Sequence, residues 1–183
     1  MTKEIYQKRT TATIAFGAIG GFVSALVMSY LFVMTAEAAG MPASTIPTAL
    51  GLILGASNAE NAMVLGLAIH LVTGTIIGVI FGAVTAYAKK LRITGYGKGI
   101  AEGIVAGIIS LVVLFLPISM AAMPPVLMNM MMQMNPGMNQ QQLAAAMQQA
   151  APTMTGLSIL SHIIFGAILG GITSVLVLRK RSG

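Results

Sequence analysis

Two residue types in this chain could hold a soft metal ion or move a proton: its two histidines and a dense run of methionines. His70 and His162 each sit inside a long apolar stretch. An ionisable residue in such a setting is a functional candidate by default, and neutral imidazole is the commonest side-chain metal ligand. The competing role is structural: the imidazole hydrogen-bonds a Ser, a Thr or a backbone carbonyl across a helix interface, with Thr73, Ser110 and Ser161 as available partners. Ten of the fifteen methionines fall between Met120 and Met154, most densely at Met128, Met130, Met131, Met132, Met134 and Met138. Thioether sulfur is a soft ligand that selects Cu(I) over hard cations, so Cu(I) is the one cofactor these residues suggest. Methionine also makes an adaptable apolar contact surface.

Other chemistry is thinly supplied. The chain has no cysteine, which excludes disulfides and thiolate metal sites. Its four acidic residues are all Glu. Glu37 and Glu60 fall at or just outside helix ends, and Glu102 stands one turn from Lys98 near the start of a helix, where the dipole favours a carboxylate. There is no phosphate-binding loop, no H-E-x-x-H and no nucleophile with both a base and an orienting acid. An enzyme is not expected.

The elements that must position these residues are membrane-spanning helices. Hydrophobic residues make up 56% of the 183 positions and charged residues 8%, against about 25% charged in a soluble domain; the mean hydropathy is +0.89. Four apolar stretches, at about 12–35, 62–88, 99–120 and 156–178, exceed the roughly 18 residues that mark a spanning helix. All ten basic residues lie in three places: Lys3, Lys8 and Arg9 before the first stretch, Lys89, Lys90, Arg92 and Lys98 between the second and third, and Arg179, Lys180 and Arg181 after the fourth. This alternation follows the positive-inside rule and puts both termini in the cytoplasm, with 36–61 and 121–155 as outer loops of a multi-pass protein of the plasma membrane. It also argues against nucleic acid as the partner of a chain with net charge +6. Ala36-Glu37-Ala38 fits a small-x-small cleavage site, but the apolar run before it exceeds 20 residues, longer than the roughly 7–15 of a signal peptide; it is read as an uncleaved first helix.

Within these stretches small residues recur every fourth position. Gly66, His70, Gly74, Gly78 and Gly82 in the second are matched by Ser158, His162, Gly166, Gly170 and Ser174 in the fourth, always 92 positions on. Gly17 and Gly21 mark the first stretch, and Gly99, Gly103 and Gly107 the third. Residues four apart share a helix face, and small ones let two backbones pack closely in lipid. Gly21-Phe-Val-Ser24 resembles Gly107-Ile-Ile-Ser110, and Ala39-Gly-Met-Pro42 resembles Ala121-Ala-Met-Pro124. The expected fold is therefore all-α, a four-transmembrane-helix bundle made of two tandem, parallel helical hairpin repeats, 1–92 and 93–183, the second carrying a Met-rich outer loop. Asn139, after the Pro136-Gly137 turn, is placed to cap a short helix in that loop.

Two resemblances bear on function. Gly21-Phe-Val-Ser-Ala-Leu-Val-Met28, Gly40-Met-Pro42 and His70-x3-Gly74-x3-Gly78 resemble the YagU-like small membrane proteins of bacteria and archaea, which implies a four-helix membrane fold without an established activity. The overlapping M-x-M pairs of Met128, Met130, Met132 and Met134 resemble the "Mets" motifs of eukaryotic copper-uptake transporters. Neither histidine matches those transporters' pore motif. The expectation is a non-catalytic membrane subunit that packs with lipid and with other subunits or itself; the alternatives are a Cu(I)-binding or copper-delivery protein and a small oligomeric transporter or channel.

Overall fold

A computed structural model describes residues 3–182, with side chains from 7 to 180; the side chains of Lys3 and Arg181 lie outside the described residues. Among these the chain is all-α: α1 (Lys3–Ala38), α2 (Thr45–Ile53), α3 (Ala59–Tyr87), α4 (Tyr96–Ser110), α5 (Met123–Met134) and α6 (Gln140–Ser182). Four long apolar helices pack as a bundle. Gln7–Ala38, Ala59–Tyr87, Tyr96–Met134 and Gln140–Lys180 are each long and apolar enough to cross a membrane. The side-chain sizes agree with a lipid solvent. Gly, Ala, Ser and Thr are frequent in the interior, beside Phe32, Phe81, Phe165 and Leu169 among others, while many large apolar residues, Val64, Val72, Ile76, Ile80, Val105 and Val113 among them, stand exposed. Water would favour the reverse, with large apolar groups inside. Hydroxyls in the interior bond their own helix: Ser24 donates to the carbonyl of Gly20 at 2.7 Å, Thr173 to Leu169 at 2.7 Å and Ser174 to Gly170 at 2.6 Å. These bonds keep the three hydroxyls from facing hydrocarbon without a partner.

The helices extend further than the apolar stretches of the sequence, and the two expected outer loops are largely helical. α1 ends in a Schellman turn at Gly40 (φ 73°), whose N–H donates to Glu37 while Met41 N–H donates to Ala36, both at 2.9 Å. Positive φ is strained for a residue with a Cβ. The matched position is Ala122, with φ −97°, and there the chain does not break. It runs from α4 through two π-helical stretches, Leu111–Phe115 and Ile118–Ala122, on either side of Pro117, into α5. Wide turns of this kind accommodate the N–H that proline lacks. The 121–155 segment is thus not a loop: only residues 135–139 turn between α5 and α6. Asn139 caps α6 as expected, in a reciprocal capping box where Gln142 N–H donates to Asn139 Oδ1 and Asn139 N–H to Gln142 Oε1, each at 2.9 Å. The helix it opens is not short. It runs 43 residues, through Pro152.

In the 36–61 segment, α2 was not foreseen. Thr45, Ile46, Pro47, Thr48, Ala49 and Gly51 are buried, and a second Schellman turn at Gly55 (φ 91°) leads to α3. Asn58 caps α3, its Oδ1 accepting Asn61 N–H at 2.8 Å.

The chain forms two compact units. One comprises residues 1–28, 70–110 and 161–183, and includes every Lys and Arg and both histidines. The other comprises 29–69 and 111–160, with α2, α5 and the methionine run. In this second unit α2 packs on α5, and the backbones of α2 and α3 touch where Gly51 faces Ala62 and Gly66 faces Pro47.

Candidate functional site

In the basic unit, the glycine ladders face one another in pairs. A methyl group on Gly21 would strike the Gly74 carbonyl and stand 2.8 Å from Gly78 Cα; one on Gly17 would strike the Gly78 carbonyl and stand 2.8 Å from Gly82 Cα. Between α4 and α6 the contacts repeat. A methyl on Gly103 would strike the Gly166 carbonyl and stand 2.7 Å from Gly170 Cα, and Gly99 faces Ser174 and Gly170. Each ladder is filled by its own hairpin partner. None of Gly17, Gly21, Gly74, Gly78, Gly99, Gly103, Gly166 or Gly170 offers an empty groove.

Gly103 meets Gly166 and Gly170 as Gly21 meets Gly74 and Gly78, and Gly107 faces His162 and Gly166 as Ala25 faces His70 and Gly74.

His70 sits at the α1–α3 contact. Its Nε2–H donates to the Ala25 carbonyl across the helix interface at 3.1 Å. A backbone carbonyl across a helix interface was among the expected partners; Ser110 donates to Gly107 at 2.8 Å within its own helix. His162 is buried on α6, its carbonyl against Gly107. Both histidines belong to the basic unit. Among the described residues no three His, Asp or Glu side chains gather as a metal site.

The methionines belong to the other unit. Helical geometry divides them, because residues two apart on a helix do not face each other. Met128, Met131 and Met132 share one arc of α5, while Met130 and Met134 lie on the stripe that continues the buried Met123 and Leu127. Met138 is exposed in the turn after α5. The M-x-M spacing therefore sends alternate sulfurs to different sides.

Glu102 is paired with Lys98 at 3.6 Å as i, i+4, but α4 begins at Tyr96, so Glu102 lies beyond its first turn and the dipole contributes little. Lys98 Nζ is committed to the carbonyls of Lys90 at 2.8 Å and Arg92 at 2.9 Å. The second carboxylate oxygen of Glu102 is buried without a hydrogen-bond partner.

One feature had no counterpart in the sequence reading. A cavity of about 310 Å³ opens at the basic end of α1, α3 and α6, lined by Arg9, Thr10, Thr13, Thr85, Arg92 and Lys180 among others. The charge alternation identified these cations as topology markers; their convergence on one cavity depends on how the helix ends meet.

No protein family, curated protein or solved structure matches the chain.

Proposed function

We propose that this protein is a non-catalytic, multi-pass subunit of a larger membrane assembly, built from two tandem copies of a helical hairpin, with both termini in the cytoplasm. The observation that carries the reading is the length of the second hairpin. The apolar-rich helical segment Tyr96–Met134 is 39 residues long, against the roughly 20 residues that span a bilayer. A lipid bilayer covers about half of it. The remainder carries the methionines, and apolar thioether surface outside lipid is stabilised by a protein partner. Charge alternation supports the topology. The shared contacts of Gly21 and Gly103, and of Gly74 and Gly166, support the duplication. The resemblance to YagU-like proteins is compatible with such a role.

The test is the size of the protein in native membranes solubilised in mild detergent. A stable assembly well above the 18.9 kDa chain, lost when Met128, Met131 and Met132 become Gln while the bundle stays folded, supports the subunit reading. A lone chain in detergent and lipid overturns it.

A copper-binding role is the second reading, favoured by one observation: Met128, Met131 and Met132 fall on one arc of α5, the arrangement three thioethers need to approach one Cu(I). Changing Met128, Met130, Met131, Met132 and Met134 to Leu separates the two. The subunit tolerates the change because the surface stays apolar. A copper protein loses stoichiometric Cu(I) binding in a competition titration.

A further inference from the structure

We propose that the basic cavity binds the phosphate of an anionic phospholipid headgroup. Three cations from separate segments converge on it: Arg9 on α1, Arg92 on the α3–α4 connection and Lys180 at the end of α6. Among the described residues no carboxylate lines it. Guanidinium groups bind phosphate oxygens bidentately and an ammonium group adds a point charge. Thr10, Thr13 and Thr85 line the same space; the hydroxyls of Thr13 and Thr85 donate to the carbonyls of Arg9 and Phe81, each at 2.9 Å, which leaves the phosphate to the three cations. Ile93 and Val177 supply apolar wall suited to a glycerol backbone. Depth identifies the source of the phosphate. The apolar stretches of the sequence begin at about 12 and end at about 88 and 178, and Arg9, Arg92 and Lys180 lie just beyond these ends, so the cavity lies where hydrocarbon gives way to headgroups. Basic pockets between helices at that depth suit anionic lipid. A volume of about 310 Å³ admits a phosphate with its glycerol but not the acyl chains, which remain in the bilayer.

The experiment measures lipid retention by native mass spectrometry and thermal stability of the detergent-purified full chain with phosphatidylglycerol, phosphatidylcholine or inorganic phosphate. Phosphatidylglycerol is expected to bind and raise Tm; phosphatidylcholine and inorganic phosphate at the same concentration are not. Arg9→Gln, Arg92→Gln and Lys180→Gln should each weaken binding about fivefold, and Lys89→Gln with Lys90→Gln, exposed cations outside the cavity, should leave it unchanged. Where a Gln variant does not accumulate, Arg9→Lys and Arg92→Lys keep the charge and lose the fork; weakened binding supports the site, and full-strength binding by both overturns the role of the arginines. Equal binding of the two lipids, equal loss in the Lys89/Lys90 control, or displacement of the lipid by inorganic phosphate overturns the proposal.

Discussion

Single residues decide how closely these helices meet and where they end. Gly21 and Gly103 stand where any side chain meets the facing backbone, with Gly78 Cα at 2.8 Å and Gly170 Cα at 2.7 Å from an added methyl. Backbone cannot give way as a flexible side chain can. Gly21→Leu and Gly103→Leu are each expected to cost about 3 kcal/mol or more and to separate the hairpin arms, read as loss of the monodisperse peak in size exclusion. A wild-type elution profile and melt would contradict the backbone contact. Gly40 differs in kind: nothing lies within 4 Å of an added methyl, but its φ is 73°. Gly40→Ala should therefore cost only about 1 kcal/mol, through strain, seen as a small drop in Tm with unchanged oligomeric state. The ladders were legible in the sequence because spacing four has one geometric meaning on a helix. For His70 a backbone carbonyl was among the expected partners, but that it would be the Ala25 carbonyl was not legible, since a carbonyl leaves no mark on residue identity.

At the level of elements, apolar length identified four spans, and the structure keeps all four. It also lengthens them. Met, Gln and Ala, which fill 138–151, are strong helix formers, and their weak hydropathy concealed a helix rather than a loop. Pro117, Pro124 and Pro152 read as breakers, yet π-helical turns surround the first, the second lies in the opening turn of α5, and the third is carried inside α6. Asn139 is the punctuation that was legible. Its reciprocal bonds with Gln142 predict that Asn139→Ala destabilises the start of α6 by about 1 kcal/mol, visible as faster amide exchange over 140–146 with the rest of the helix unaffected. Unchanged exchange there would mean that packing, not the cap, starts this helix. α2 escaped notice because its nine residues are too few to span and sit between two positive-φ glycines.

For the molecule as a whole, four long apolar helices and large apolar residues on the exposed faces point to the same solvent, lipid, and the proposed orientation rests on charge placement alone. What the sequence could not convey is convergence: cations from three separate segments of the chain, Arg9, Arg92 and Lys180, line a single cavity in the fold. Partner contact, lipid recognition and the methionine surface all depend on which side each end faces. The absence of native cysteine makes every introduced thiol unique. The most direct measurement is labelling of single-cysteine variants with a membrane-impermeant maleimide in intact cells: Thr94→Cys between α3 and α4, Ser57→Cys before α3, and Met138→Cys in the turn after α5, all at exposed positions. Four spans with the basic ends inside predict that the thiols at 57 and 138 react from outside and that the thiol at 94 reacts only after permeabilisation. Labelling of position 94 in intact cells, or the same accessibility at 94 and 138, would contradict the account.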